Sequence, residues 1–247
     1  MNDWFIWNGR RCTEFGIHVS EQPPITLPKE RVSQVTVPGR PGTLAVTEGE
    51  DVFDNMTLTA TCFLTGPTQI PQIAAWLRGT GKVTFANRQG GFYYARIADQ
   101  IAFDRILRGN PQLSFAVSFL CAPFWYPEDI ADIEITEQGT ILNNPGTVFS
   151  EPVITVYGSG SINLMVNDAT VYLENVDGSI TVDCEAGIAY TTDNSGGKTF
   201  AGEQVSLEEG VWPKLLPQGN ANLITWEAVG NGSSVSRIVI RPNWRFL

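Results

Sequence analysis

The residues that could do chemistry are few and poorly spaced for it. His18 is the single histidine in 247 residues, and a zinc-type centre needs several His or Cys ligands. The four cysteines, Cys12, Cys62, Cys121 and Cys184, have no C-x-x-C spacing. Cys62 and Cys121 fall in apolar strand patterns, where a thiol packs as a small hydrophobe. Without an export signal all four read as free structural thiols. Gly79-Thr80-Gly81-Lys82 has the outline of a phosphate loop. It lacks the earlier glycine and the following Ser or Thr, and it comes after a predicted helix, where a phosphate loop must come before one. No G-x-S-x-G elbow occurs, which argues against an esterase of that type. Glu208-Glu209 and Glu48–Asp51 bring carboxylates together, as glycoside hydrolysis needs, but only along the chain, so they read as solvated charge. Trp212 and Trp226, with Trp244, are candidates for stacking on sugar rings if a face is exposed; core packing is the commoner fate of tryptophan. The expectation is no catalytic residue, no metal, no cofactor and no enzyme activity.

Composition narrows the partners. Hydrophobic residues make up 43% of the chain, enough for a sizeable core, and 16 basic residues face 26 acidic ones, a net charge of −10. Such a chain does not hold nucleic acid by neutralising phosphates. It could line a passage through which DNA slides without sticking, because like charges repel. No run approaches the ~20 apolar residues of a membrane span. The opening MNDWFIWNGRR puts its basic pair after its apolar residues, the reverse of a secretory signal, so neither membrane insertion nor export by that route is expected.

The stretch Leu142–Glu185 organises the rest. Pro152–Tyr157, Ser161–Val166, Ala169–Leu173 and Ser179–Asp183 each alternate apolar and polar residues, the period-two pattern of half-buried strands. Gly158–Gly160, Asn167-Asp168 and Asp177-Gly178 supply turn residues, so four strands of an antiparallel meander are predicted. In the first half, Trp4–Trp7 and Phe15–Val19 are expected to form a hairpin. Arg31–Val37 is a strand ending at Pro38-Gly39, a pair suited to a type II turn. Met56–Leu64 alternates cleanly. After the break Gly66–Pro71, the residues Ile70, Ile73, Ala74 and Leu77 recur at helical spacing and stop at Gly79. Lys82–Ala86, Phe92–Ala98 and Leu113–Leu120 are further strands, with a break at Gly109–Pro111. Toward the end, Asp193–Gly197 is a polar loop, and Leu223–Ala228 and Ser234–Arg241 are two strands separated by Asn231-Gly232. The chain is mainly β, in two domains, 1–137 and 138–247.

The order of these features resembles the distal tail (Dit) family of long-tailed siphophages. Phe5-Ile6-Trp7-Asn8-Gly9, Phe15-Gly16-Ile17 and Val35-Thr36-Val37-Pro38-Gly39-Arg40 with Gly42 carry the first part. Phe119–Tyr126 closes the first domain. Asn144-Pro145-Gly146-Thr147, Pro152-Val153-Ile154, Gly158-Ser159-Gly160, Ile180–Asp183, Leu215–Asn220 and Arg241-Pro242-Asn243-Trp244-Arg245 carry the second. The resemblance implies an N-terminal β-sandwich with one helix and an extended arm, and a C-terminal galectin-like β-sandwich. It implies a homo-hexameric ring joining the major tail tube protein to a tail-associated baseplate or lysin protein, with receptor-binding proteins nearby and DNA passing through without specific binding. The expected place is the virion tail tip, after assembly in the host cytoplasm. The irregular segment Val35–Asp54 is the candidate arm, and Val37, Pro38, Gly39, Arg40 and Gly42 are the candidate subunit-interface residues. Two other readings stand beside this one: a carbohydrate-binding module acting in host recognition, and a tail hydrolase.

Overall fold

A computed structural model describes residues 3–65, 70–105, 112–193 and 195–247. The chain divides into two compact units, Met1–Glu128 with Leu247, and Asp129–Phe246. The division falls ahead of residue 138 because the short segment Ile133–Ile135 pairs with the last strand of the second unit. Residues 66–69 of the break expected at Gly66–Pro71, the break at Gly109–Pro111 and residue 194 of the Asp193–Gly197 loop lie outside the described residues; Ile70 and Pro71 belong to the helix that follows.

The first unit contains strands β1 (Phe5–Trp7), β2 (Arg10–Arg11), β3 (Ile17–Glu21), β4 (Val32–Thr36), β5 (Thr43–Thr47) and β6 (Met56–Thr65). Helix α1 (Ile70–Trp76) follows, then β7 (Thr80–Phe85), β8 (Arg88–Ile97), β9 (Asp104–Arg105) and β10 (Gln112–Pro127). One sheet runs β2-β1-β7-β8-β10-β6-β3, with β9 beside β10. The edge strand β3 reaches the segment ahead of β1, where the Val19 N–H donates to the Asp3 carbonyl at 2.8 Å. Leu58, Ala60, Cys62 and Leu64, the alternating row of β6, are buried, and share one core with Phe5, Trp7, Ile17 and Phe119. Helix α1 has Ile73 fully buried. Trp76 clamps it down by stacking on Phe15 at 4.4 Å between ring centroids and by donating its indole N–H to the Trp7 carbonyl at 3.1 Å. Gly79, at φ 78°, ends that segment as only glycine does without strain.

The expected pairing of Trp4–Trp7 with Phe15–Val19 does not form. Asn8 and Gly9 both take positive φ, the requirement of a two-residue I′ turn, and fold β1 directly onto Arg10–Arg11. The next residues form a 3-10 turn that buries Cys12 and Phe15, and β3 pairs with β6 instead.

The second unit contains β11 (Ile133–Ile135), β12 (Thr140–Leu142), β13 (Val153–Val166), β14 (Ala169–Asp183), β15 (Ile188–Thr192), β16 (Lys198–Phe200), β17 (Val205–Leu207) and β18 (Asn222–Arg241). Its sheet order is β11-β18-β13-β14-β15-β16, with β12 on β18 and β17 on β14. The N-terminal half of β18 pairs with β12 and its C-terminal half with β11. Likewise β17 lies on the first half of β14 and β15 on the second. Both halves of the long strands bury side chains in one core, as in a β-sandwich.

Here the predicted meander is corrected. Gly158–Gly160 and Asp177-Gly178 are not hairpin turns; they lie opposite each other inside two continuous strands. Gly160 pairs with Val176 and Ile162 with Leu173, so β14 has one extra residue there, a bulge with Asn175 at φ 53°. An extra residue flips the side-chain phase. That is why Val171 and Leu173, at odd positions, and Val176, Ile180 and Val182, at even ones, are all buried. Similarly, Asn231-Gly232 interrupts β18 with a shift of register and not with a new strand. Gly160 (φ 80°) has no room for a side chain, because a Cβ there would lie 2.3 Å from Ser233 Oγ.

Candidate functional site

Two surface regions are candidates. The first is the β4–β5 ribbon. Among the described residues it pairs with no other strand; residues 29–50 are exposed, and the flanking Pro28 and Asp51 are half-buried. Pro38-Gly39 turns it as the pair demands: Gly39 has φ 80° and the Arg40 N–H donates to the Val37 carbonyl at 3.2 Å. The register sets Val35 opposite Leu44 and Ser33 opposite Val46, so Val35, Val37, Leu44 and Val46 share one face. The other face carries Gln34, Thr36, Thr43, Ala45 and Thr47, with Val32. The four residues of the apolar face are 37–47% exposed. The base is tied by Arg31, whose Nε donates to Asp54 at 3.1 Å. Glu48 accepts from the Ser33 hydroxyl at 2.8 Å, which engages it in the ribbon rather than in a cleft. Val37, Pro38, Gly39, Arg40 and Gly42 all sit at the exposed tip.

The second region is a groove of about 470 Å³ in the second unit, lined by Asp168, Glu208, Glu209, Val211, Trp212 and Lys214 among others. The buried Asn222 and the half-buried Asn167 position it. The Asn167 amide donates to the Lys214 carbonyl at 3.1 Å and to Asn222 Oδ1 at 2.9 Å; Asn222 Oδ1 also accepts from the Leu216 N–H at 2.6 Å. Asn167 occupies the β13–β14 turn at φ 55°, so the turn bearing Asp168 and the segment bearing Trp212 are held to one another. Trp212 is half-buried and rests on Gly187, where a Cβ would stand 3.4 Å from its Nε1. Glu209 takes φ 54°. The Lys214 ammonium lies 4.0 Å above the Phe149 ring. On the other side of Trp212 a smaller groove of about 240 Å³ is walled by Ile188, Phe200 and Leu207.

The remaining sequence candidates separate. Trp226 is 8% exposed and belongs to the second core; alternation with Ile224 turns its ring inward, so it offers no face to a sugar. Trp244 is buried in the same core. His18 Nδ1 lies 3.0 Å from Asp3 Oδ2, and this hydrogen bond holds the Asp3 carboxyl below its ordinary 3.8. Lys82 of the glycine-lysine run lies in β7 with its ammonium 4.0 Å over Phe92. All four cysteines are free and buried. Burial pushes Cys12 up to about 11 and Cys62 and Cys121 to about 12, and raises Cys184 further; such thiols stay protonated and are poor nucleophiles. Among the described residues no three His, Cys, Asp or Glu side chains cluster to hold a metal.

No protein-family model matches the sequence, and no curated protein matches it. A chain of the phage p2 baseplate in its activated conformation with Sr aligns at 9% identity over 96% of this chain and 97% of that one, with a TM-score of 0.48. The crystal structure of SPP1 Dit (gp 19.1), described as a paradigm of the hub adsorption apparatus in phages infecting Gram-positive bacteria, aligns at 15% identity with a TM-score of 0.76. The alignment covers 99% of each chain, so the fold of both units is similar to that of SPP1 Dit.

Proposed function

We propose that this chain is a structural hub of a phage tail's adsorption apparatus: a distal tail protein whose six copies close into a ring between the tail tube and the baseplate. The observation that carries it is the end-to-end agreement of fold with SPP1 Dit, 99% of each chain. The ribbon supplies a physical reason for association. A two-stranded hairpin is marginal alone in water, and this one leaves Val35, Val37, Leu44 and Val46 uncovered. Closed rings of identical subunits give every such surface the same partner. In this scheme the ribbon tip, Val37 to Arg40 with Gly42, lies against a neighbouring copy. The major tail tube protein binds above, a tail-associated baseplate or lysin protein below, and receptor-binding proteins at the periphery beside the galectin-like second unit. The chain assembles in the host cytoplasm and ends at the virion tail tip. DNA crosses the lumen, and the net charge of −10 keeps it from adhering. The work is assembly, and no reaction is assigned.

A density map of the intact tail tip tests this. The expected result is a six-fold ring of this chain directly below the tail tube. Absence of the polypeptide from purified virions would refute it.

A further inference from the structure

We propose that the Trp212 groove of the second unit is a binding site for a saccharide free of acidic groups. The ring reading does not require such a site, and the site does not require a ring.

Three observations converge. The volume, about 470 Å³, lies within the ~300–1,000 Å³ of small-ligand pockets. Trp212 is the one member of the Trp212, Trp226 and Trp244 set that stays half-exposed while the others are buried. It is backed by the Gly187 main chain, so the indole is pre-positioned and loses little freedom on stacking. Finally, Asp168, Glu208 and Glu209 line the groove, and none of them has an ion pair or side-chain hydrogen bond among the described residues. These carboxylates are acceptors only.

The ligand that fits offers a flat apolar face and several hydroxyl donors, which is the chemistry of a pyranose ring. A bare cation would satisfy the carboxylates but leave Val211, Trp212 and Leu216 uncovered. A phosphorylated or uronic sugar would meet three carboxylates, with Lys214 turned to Phe149, and like charges repel in a partly enclosed groove. Charge therefore selects among sugars, and the aromatic ring selects sugars over ions.

The test is a glycan array carrying neutral, amino and acidic glycans, probed with the full chain, followed by calorimetry with the methyl glycoside of any sugar that binds. Neutral or amino glycans are expected to bind, with affinity falling at least tenfold in Trp212→Ala. Trp212→Phe, which keeps a ring, should retain most of it, and Phe200→Ala in the adjoining groove should leave it unchanged. Binding of acidic glycans only, binding unaffected by Trp212→Ala, or a groove that takes a basic peptide and no glycan would each overturn the proposal. Sedimentation of the same samples separates the two ideas: sugar binding by a chain that forms no ring removes the hub and keeps the site, and a ring blind to sugars does the reverse.

Discussion

The β4–β5 ribbon and the β13–β14 pair are both antiparallel, both alternate apolar and polar residues, and both turn through residues suited to positive φ. In β13–β14 the apolar row, Ile154, Val156, Ile162, Leu164 and Val166, is fully buried. In the ribbon the equivalent row, Val35, Val37, Leu44 and Val46, is 37–47% exposed. Alternation specifies which side chains share a face and leaves open what covers it. For β13–β14 the covering layer is in the same chain. For the ribbon no such layer is present among the described residues, and that contrast is why the proposed ring places its interface there.

The contrast can be broken from either side. The largest effect is expected in the buried row. Leu164→Ala removes a side chain with no exposure and should cost about 2–5 kcal/mol, read as a lower midpoint in denaturant for the second unit. The thiols sharpen this. Cys184 is in the second core while Cys12, Cys62 and Cys121 are in the first. In Leu164→Ala, Cys184 should become reactive to a thiol reagent at a lower denaturant concentration than the other three; simultaneous exposure of all four would mean that the two units unfold as one. The smallest effect is expected in the ribbon. Val35→Ser with Leu44→Ser should change the stability of the isolated chain by roughly 0.5 kcal/mol or less, as for other surface substitutions. A large loss of stability would show that the ribbon is covered within its own chain.

How much of this could be read from residues alone varies with the kind of signal. The helix was legible because Ile70, Ile73 and Leu77 repeat at its period and Gly79 closes it. The row Leu58–Leu64 was legible because its alternation is uninterrupted. The ribbon's turn was visible in Pro38-Gly39, whereas its isolation was not, since exposure depends on the rest of the fold. Gly158–Gly160 and Asp177-Gly178 misled for a physical reason: glycine and aspartate serve bulges as readily as turns. The clue lay in the change of phase between Leu173 and Val176. Trp212 could be named as a candidate but not separated from Trp226, because the hydrogen bonds of Asn167 and Asn222 that seat it join residues distant in sequence. Asp168 reads in the sequence as a turn residue and nothing more, and only the fold brings it to the same groove as Glu208 and Glu209.

The most direct test is sedimentation equilibrium of the purified chain beside the Val35→Ser, Leu44→Ser variant, each also mixed with its tail tube protein. The wild type is expected at the mass of six copies, alone or on the tube, and the variant at the mass of one copy with an unchanged fold by circular dichroism. A wild type that stays at one copy under both conditions, or a variant that assembles as well as the wild type, would contradict an interface built on the ribbon.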